Sequence, residues 1–144
     1  MIRPGATVAT PYLFVYGTLM RSAAGAKLGV AERARLDTSG EWLGSATAQG
    51  RLYDLGIYPG LVITDRKNRS VRGEIYWLRA PHLALRWLDA YEGIPIGAAQ
   101  GPEYTRDQQP VRFARGQTLL AWLYNYTGSL ENARLVASGQ WLPR

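Results

Sequence analysis

Only one stretch of this chain carries a strong helical pattern, and it is short. Pro81 opens it at a first helical position, where the missing N–H would be unpaired in any case. Leu85, Leu88 and Tyr91 recur on one helical stripe, with Leu83 and Trp87 at its edges. Gly93 follows, where a left-handed C-cap belongs. The pattern predicts a helix from Pro81 to Glu92. Most of what surrounds it is strand-like, without regular strand–helix alternation. That argues against a doubly wound parallel sheet. It implies an α+β fold, a small mixed sheet or partly closed β-barrel with a few helices packed on it.

The strand-like runs are read from β-branched and aromatic residues bounded by turn residues. Tyr12 to Tyr16 is the first, ended by Gly17. Ala46 to Tyr53 alternates loosely and contains Gly50, a bulge or a close-packing point. Tyr58-Pro59-Gly60 is a turn that opens a run to Thr64, Asp65 to Ser70 reads as a hairpin loop, and Val71 to Leu78 returns as a strand. Glu103 to Phe113 and Thr118 to Tyr126 are joined by a turn at Arg115-Gly116. The second is apolar on both faces and should be central. Weaker helical stretches fall at Ala23 to Leu36 and Glu131 to Ala137. Residues 1–11 read as a loose lead-in to a single domain spanning 1–144.

With 47% hydrophobic and 19% charged residues, the chain can bury a core and does not resemble a disordered one. It has no cysteine, which excludes a disulfide framework, a thiolate metal site and a cysteine nucleophile. Its one histidine, His82, sits in the first helical turn and reads as a surface residue. No metal site could draw on a histidine cluster. Chemistry must come from carboxylates, hydroxyls, backbone amides or arginines. The net charge of +6 is spread along the chain, mostly as Arg. Such a surface reads first as a soluble one with a basic bias; it can also attract acidic small molecules, and it lacks the basic cluster of a nucleic-acid binder. Trp77, Trp87, Trp122 and Tyr124 fall on faces expected to be core rather than on a base-stacking platform. No run reaches the ~18 apolar residues of a membrane span, and residues 1–11 hold no signal-peptide core. The expectation is a cytoplasmic protein with a small-molecule partner, no nucleic acid and no membrane; its oligomeric state is not legible.

Three constellations bear on chemistry. At Tyr16-Gly17-Thr18-Leu19 a buried strand stops at a glycine, where the backbone can approach a ligand and present free amides to an anion. An ordinary strand end fits the same residues, and on spacing alone it is the weightier reading. At Leu88-Asp89-Ala90-Tyr91-Glu92-Gly93, the carboxylate of Glu92 lies at the negative end of the helix dipole. Two readings stand level: an exposed side chain that tolerates the position, or a general base whose pKa is raised by the helix end, by burial and by Asp89. At Tyr104-Thr105-Arg106, alternation places the phenol and the guanidinium on one strand face, toward a substrate or toward solvent, with solvent the safer reading for Arg106.

Phe14-Val15-Tyr16-Gly17-Thr18-Leu19-Met20 resembles the Tyr-Gly-Ser/Thr-Leu signature of the gamma-glutamylcyclotransferase-like family. Gly50-Arg51-Leu52-Tyr53-Asp54-Leu55, then Tyr58-Pro59-Gly60-Leu61-Val62 and Gly73-Glu74-Ile75-Tyr76, resemble its middle segments. Leu88 to Gly93 is similar to its catalytic-glutamate segment, Tyr104-Thr105-Arg106 to the strand after it, and Ser138-Gly139-Gln140-Trp141 to a tail seen in bacterial members. The order is kept from about Tyr12 to Trp141. The resemblance implies a small mixed barrel with a cavity. In it the Tyr16-Gly17-Thr18-Leu19 loop holds a glutamyl group by its amides, Tyr104 faces the substrate, and Glu92 is the acid and base. It also implies a lyase-type, cofactor-independent reaction releasing 5-oxoproline and an amine from a gamma-glutamyl compound. The alternative is a small-molecule-binding or interaction protein without catalysis on the same fold.

Overall fold

The structure, a computed structural model, describes residues 9–23, 25, 27–66, 68–95, 98 and 100–142. Seven strands and two α-helices follow one another as β1 (Tyr12–Val15), α1 (Val30–Ser39), β2 (Gly40–Asp54), β3 (Pro59–Ile63), β4 (Ser70–Leu78), α2 (Pro81–Tyr91), β5 (Tyr104–Phe113), β6 (Gln117–Tyr126) and β7 (Arg134–Leu135). A 3₁₀ turn, Arg21–Ala23, precedes α1. The ladder runs β1-β4-β2-β3-β6 and closes because β1 also pairs with β6; β5 lies along β6 and reaches across to β2. Closure leaves few free strand edges, the problem any small sheet must solve. Leu13, Phe14, Leu52, Leu61, Ile75 and Leu123 fill the interior.

The expected α+β barrel is therefore present, and β6 is central, with β5 on one edge and β1 and β3 on the other. Several local expectations need correction. The first helix starts at Val30 and runs to Ser39, later than the span from Ala23 to Leu36. The stretch from Glu131 to Ala137 is not helical: Arg134–Leu135 is extended and pairs with β2, because the edge of β2 offers it a ladder. Residues 65–70 do not make a hairpin, since β3 and β4 each pair with β2 and not with each other. The β2–β4 register shifts between Trp42 and Gly44, which leaves Leu43 as the extra residue, and Gly44 has φ +138°. Gly50 is instead the close-packing point, where a Cβ would meet the Val62 carbonyl oxygen at 2.9 Å. Of the lead-in, residues 1–8 lie outside the described residues. Thr10 and Pro11 are already tied to the barrel by bonds to Leu120, Trp122 and Leu78.

Helix α2 follows its pattern closely. Ala84, Leu85 and Leu88 are buried, and His82 and Leu83 are exposed. Glu92 is the C-cap residue. Gly93, at φ +81°, donates to Ala90 O, and Ile94 donates to Asp89 O, which is the Schellman arrangement. That motif stops the helix at Glu92 and sends the chain away, so the carboxylate sits at a corner rather than along a helix face.

Candidate active site

β1 and β3 border the same edge of β6 at successive levels, through Leu13–Trp122 and Leu61–Asn125. Where one hands over to the other, Tyr16 fills the seam. Its hydroxyl donates to Tyr124 O at 2.6 Å and accepts the Leu61 N–H at 3.2 Å, so a side chain replaces a ladder rung. The seam opens into a cavity of about 380 Å³, within the range of small-molecule sites. Tyr16, Gly17, Thr18, Leu19, Glu92 and Tyr104 all line it, together with Phe14, Val15, Leu28, Ile57, Tyr58, Pro59, Tyr91, Gly93, Glu103 and Tyr124. More than seventy residues of chain separate Leu19 from Glu92, and the barrel brings them to one wall.

The turn after β1 is held from several sides. Gly17 O accepts from Met20 N–H at 3.1 Å. The amides of Gly17, Thr18 and Leu19 donate to no acceptor among the described residues. The Thr18 hydroxyl lies 2.8 Å from the Tyr91 hydroxyl, which links the turn to the end of α2. Glycine at position 17 has a packing reason: a Cβ there would meet Pro59 Cγ at 2.8 Å. Gly17 lets the turn pack on the Tyr58-Pro59 segment, and so shapes the cavity from behind.

Glu92 is half-buried, and its carboxyl is closely surrounded by protein. Desolvation raises its pKa from 4.5 to about 7, and the neighbouring charge of Asp89 adds to the rise. No described residue donates a hydrogen bond to this carboxyl. Asp89 is differently placed. Its Oδ1 accepts Arg106 Nε at 2.8 Å and the Tyr124 hydroxyl at 2.6 Å. Arg106 is thus neither a solvent-facing residue nor a substrate ligand: it ion-pairs with Asp89 and lies over the Trp122 ring, 4.4 Å from its centroid. Two carboxylates one helical turn apart are sorted by environment, Asp89 bonded through Oδ1 to Arg106 and Tyr124, and Glu92 open to the cavity.

The tyrosines around Glu92 are donors. Burial, followed by the charge of Glu92, raises the pKa of Tyr16; burial does the same for Tyr104, with neighbouring Tyr16 and Glu92 adding. Tyr104 donates to Pro59 O at 3.0 Å, so its hydroxyl shapes the cavity wall. No described lining residue is Arg, Lys or His, so a bound carboxylate would meet amides and hydroxyls rather than a guanidinium. No group of three potential metal ligands occurs among the described residues, and none of their helices is long and apolar enough to cross a membrane.

Reading the sequence missed two charged residues behind the turn. Glu74, 6% exposed on β4, accepts the amides of Arg21 and Ser22 and the Trp42 indole N–H. Arg33, 9% exposed on α1, donates to Thr18 O and Leu28 O. Glu74 left a signal, a carboxylate amid the apolar residues of a predicted strand. Arg33 left none, being one arginine among several in an Ala- and Arg-rich stretch.

Comparison with known proteins agrees with this fold. Residues 13–143 match the family model described as gamma-glutamyl cyclotransferase, AIG2-like. The chain belongs to that family. It is 33% identical over 133 residues to the gamma-glutamylcyclotransferase family protein YtfP of Escherichia coli K12, covering 92% of this chain and 96% of that one. It is 37% identical over 94 residues to the corresponding Citrobacter rodentium protein, covering 65% and 68%. Among solved structures, an AIG2-like protein of Mus musculus superposes with a TM-score of 0.69 at 22% identity, over 93% of this chain and 89% of that one. YkqA of Bacillus subtilis gives 0.63 at 22% identity, over 92% of this chain and 40% of that one. At such identities the structural likeness concerns the fold alone.

Proposed function

We propose that this protein is a gamma-glutamyl cyclotransferase that uses Glu92 as general base and acid. One observation carries the reading: a carboxyl group with a pKa of about 7 shares a cavity with the amides of the 17–19 turn, and neither has a hydrogen-bond partner among the described residues. A gamma-glutamyl compound brings its own nucleophile, the α-amino group. Closing a five-membered ring therefore needs no nucleophile from the protein, only orientation, which can be worth roughly 7–11 kcal/mol. Glu92 takes a proton from the α-amino nitrogen as it attacks the γ-carbonyl carbon. The oxyanion that develops, or the substrate's own carboxylate, is met by the amides of the 17–19 turn. The carbon–nitrogen bond to the leaving amine then breaks as Glu92 returns the proton to that nitrogen. The products are 5-oxoproline and a free amine.

A base with a pKa near 7 is suited to this exchange, because about half of it is ionised at neutral pH and its conjugate acid can still protonate the leaving group. The tyrosines around it, held neutral by burial, do not compete for the proton. The test is incubation with a panel of gamma-glutamyl compounds, amino acids, peptides, lysine side-chain amides and simple amines, with release of 5-oxoproline as the readout. Release that disappears in Glu92→Gln supports the reading. Tight binding of 5-oxoproline with no turnover of any compound would instead indicate a binding protein on this fold.

A further inference from the structure

Within the turn after β1, one backbone bond, from Met20 N–H to Gly17 O at 3.1 Å, closes the loop, and the Thr18–Leu19 peptide lies at its middle. We propose that Arg33, outside the cavity, is the positioning residue that aims the Leu19 N–H into it. The inference rests on the cyclotransferase reading above. Arg33 Nη1 donates to Thr18 O and to Leu28 O, each at 2.7 Å. Thr18, Leu19 and Leu28 line the cavity, whereas Arg33 does not. In a planar trans peptide the carbonyl and the following N–H point in opposite directions. A guanidinium that draws the Thr18 carbonyl outward therefore turns the Leu19 N–H inward.

The bond has a second effect. A charge-assisted bond to a carbonyl polarises its peptide and strengthens the N–H on the far side as a donor. The cavity thereby gains part of the benefit of a cation while no described basic side chain stands in it. Arg33 also closes the segment between residues 18 and 28, since one nitrogen spans both carbonyls. The 3₁₀ turn is anchored separately, by Glu74 from the barrel side. The two anchors are independent, and only the one from Arg33 acts on the peptide that carries the Leu19 N–H.

The experiment follows the backbone amide resonances during titration with 5-oxoproline, in the wild type, Arg33→Lys and Arg33→Ala. In the wild type the Leu19 amide is expected to shift strongly on binding. Arg33→Ala should bind about tenfold more weakly and lose most of that shift. Lysine brings a point charge rather than a planar fork, so Arg33→Lys should fall between them. Added methylguanidine should restore turnover in Arg33→Ala but not affect the wild type, which loss of packing alone would not produce. If Arg33→Ala does not fold, Arg33→Lys decides. Wild-type affinity and an unchanged Leu19 shift in a folded Arg33→Lys would overturn the inference. So would a wild type that binds 5-oxoproline and turns over substrate with no movement of the Leu19 amide, and either result would leave the catalytic reading intact. A wild type that neither binds 5-oxoproline nor releases it from any gamma-glutamyl compound overturns both.

Discussion

The two walls of the cavity are built on opposite principles. The β1 wall is held at many points: Tyr16 bridges to β3 and β6, Arg33 grips Thr18, and Glu74 grips the amides of the 3₁₀ turn. The α2 wall ends in a carboxyl that no described residue bonds. Asp89, one turn away, takes up the available donors, Arg106 and Tyr124. A wall that must bind a fixed shape gains from over-determined geometry. A group that must gain and lose a proton gains from being desolvated and unpartnered, because any donor to the carboxylate would lower its pKa.

The difference predicts that the two walls fail differently. The largest effect belongs to Glu92→Gln, which keeps the shape and removes the base. It should lower turnover of any confirmed gamma-glutamyl substrate by about 10²–10⁴-fold with 5-oxoproline binding largely kept. Wild-type turnover in this variant would end the proposed mechanism. Tyr16→Phe acts on the other wall. It leaves Leu61 N–H and Tyr124 O without their bridge, and should lower unfolding stability by about 1–3 kcal/mol. Binding should weaken with stability, and a variant of unchanged stability would show that the seam does not depend on this hydroxyl.

Smaller effects concern protons. The raised pKa predicts an acidic limb in kcat/KM near pH 7, with activity falling below it as Glu92 becomes protonated. Asp89→Asn removes the neighbouring charge and should move that limb to lower pH, and a limb that stays put would exclude Asp89 as a contributor. The same shift bears on stability. A carboxyl with a folded pKa of about 7 and an unfolded value of 4.5 favours folding in its protonated form. That contribution is complete below about pH 4.5 and is lost as the pH rises through about 7. Glu92→Gln, neutral throughout, should match the wild type near pH 4 and be the more stable of the two at pH 8. Equal stability at both pH values would mean that Glu92 is well solvated.

Much of this barrel could be read along the chain, since its signals are local. The run from Tyr12 to Tyr16, the stop at Gly17 and the Pro81–Gly93 helix with its caps each follow from neighbouring residues. So did the pairing of β5 with β6 through Arg115-Gly116, whose positive φ values suit a tight hairpin. The misread tail depended on a partner elsewhere. Arg134–Leu135 is extended because β2 has an edge to pair with, and α1 begins only after Gly29, whose φ of +78° lies outside the helical region.

For the site, the sequence by itself determined which side chains are available for chemistry, and the absence of cysteine with a single histidine left carboxylates and amides to do it. It also determined where the helix ends, and hence that Glu92 stands at a corner. Only the tertiary structure decided that this corner faces the turn after β1, that among the described residues Asp89 is paired while Glu92 is not, and that Arg33 stands behind Thr18. These relations join residues fifteen to more than seventy positions apart. They exist because closing the barrel forces distant segments into one volume, where burial and hydrogen bonding, rather than sequence neighbours, set the protonation and direction of each group.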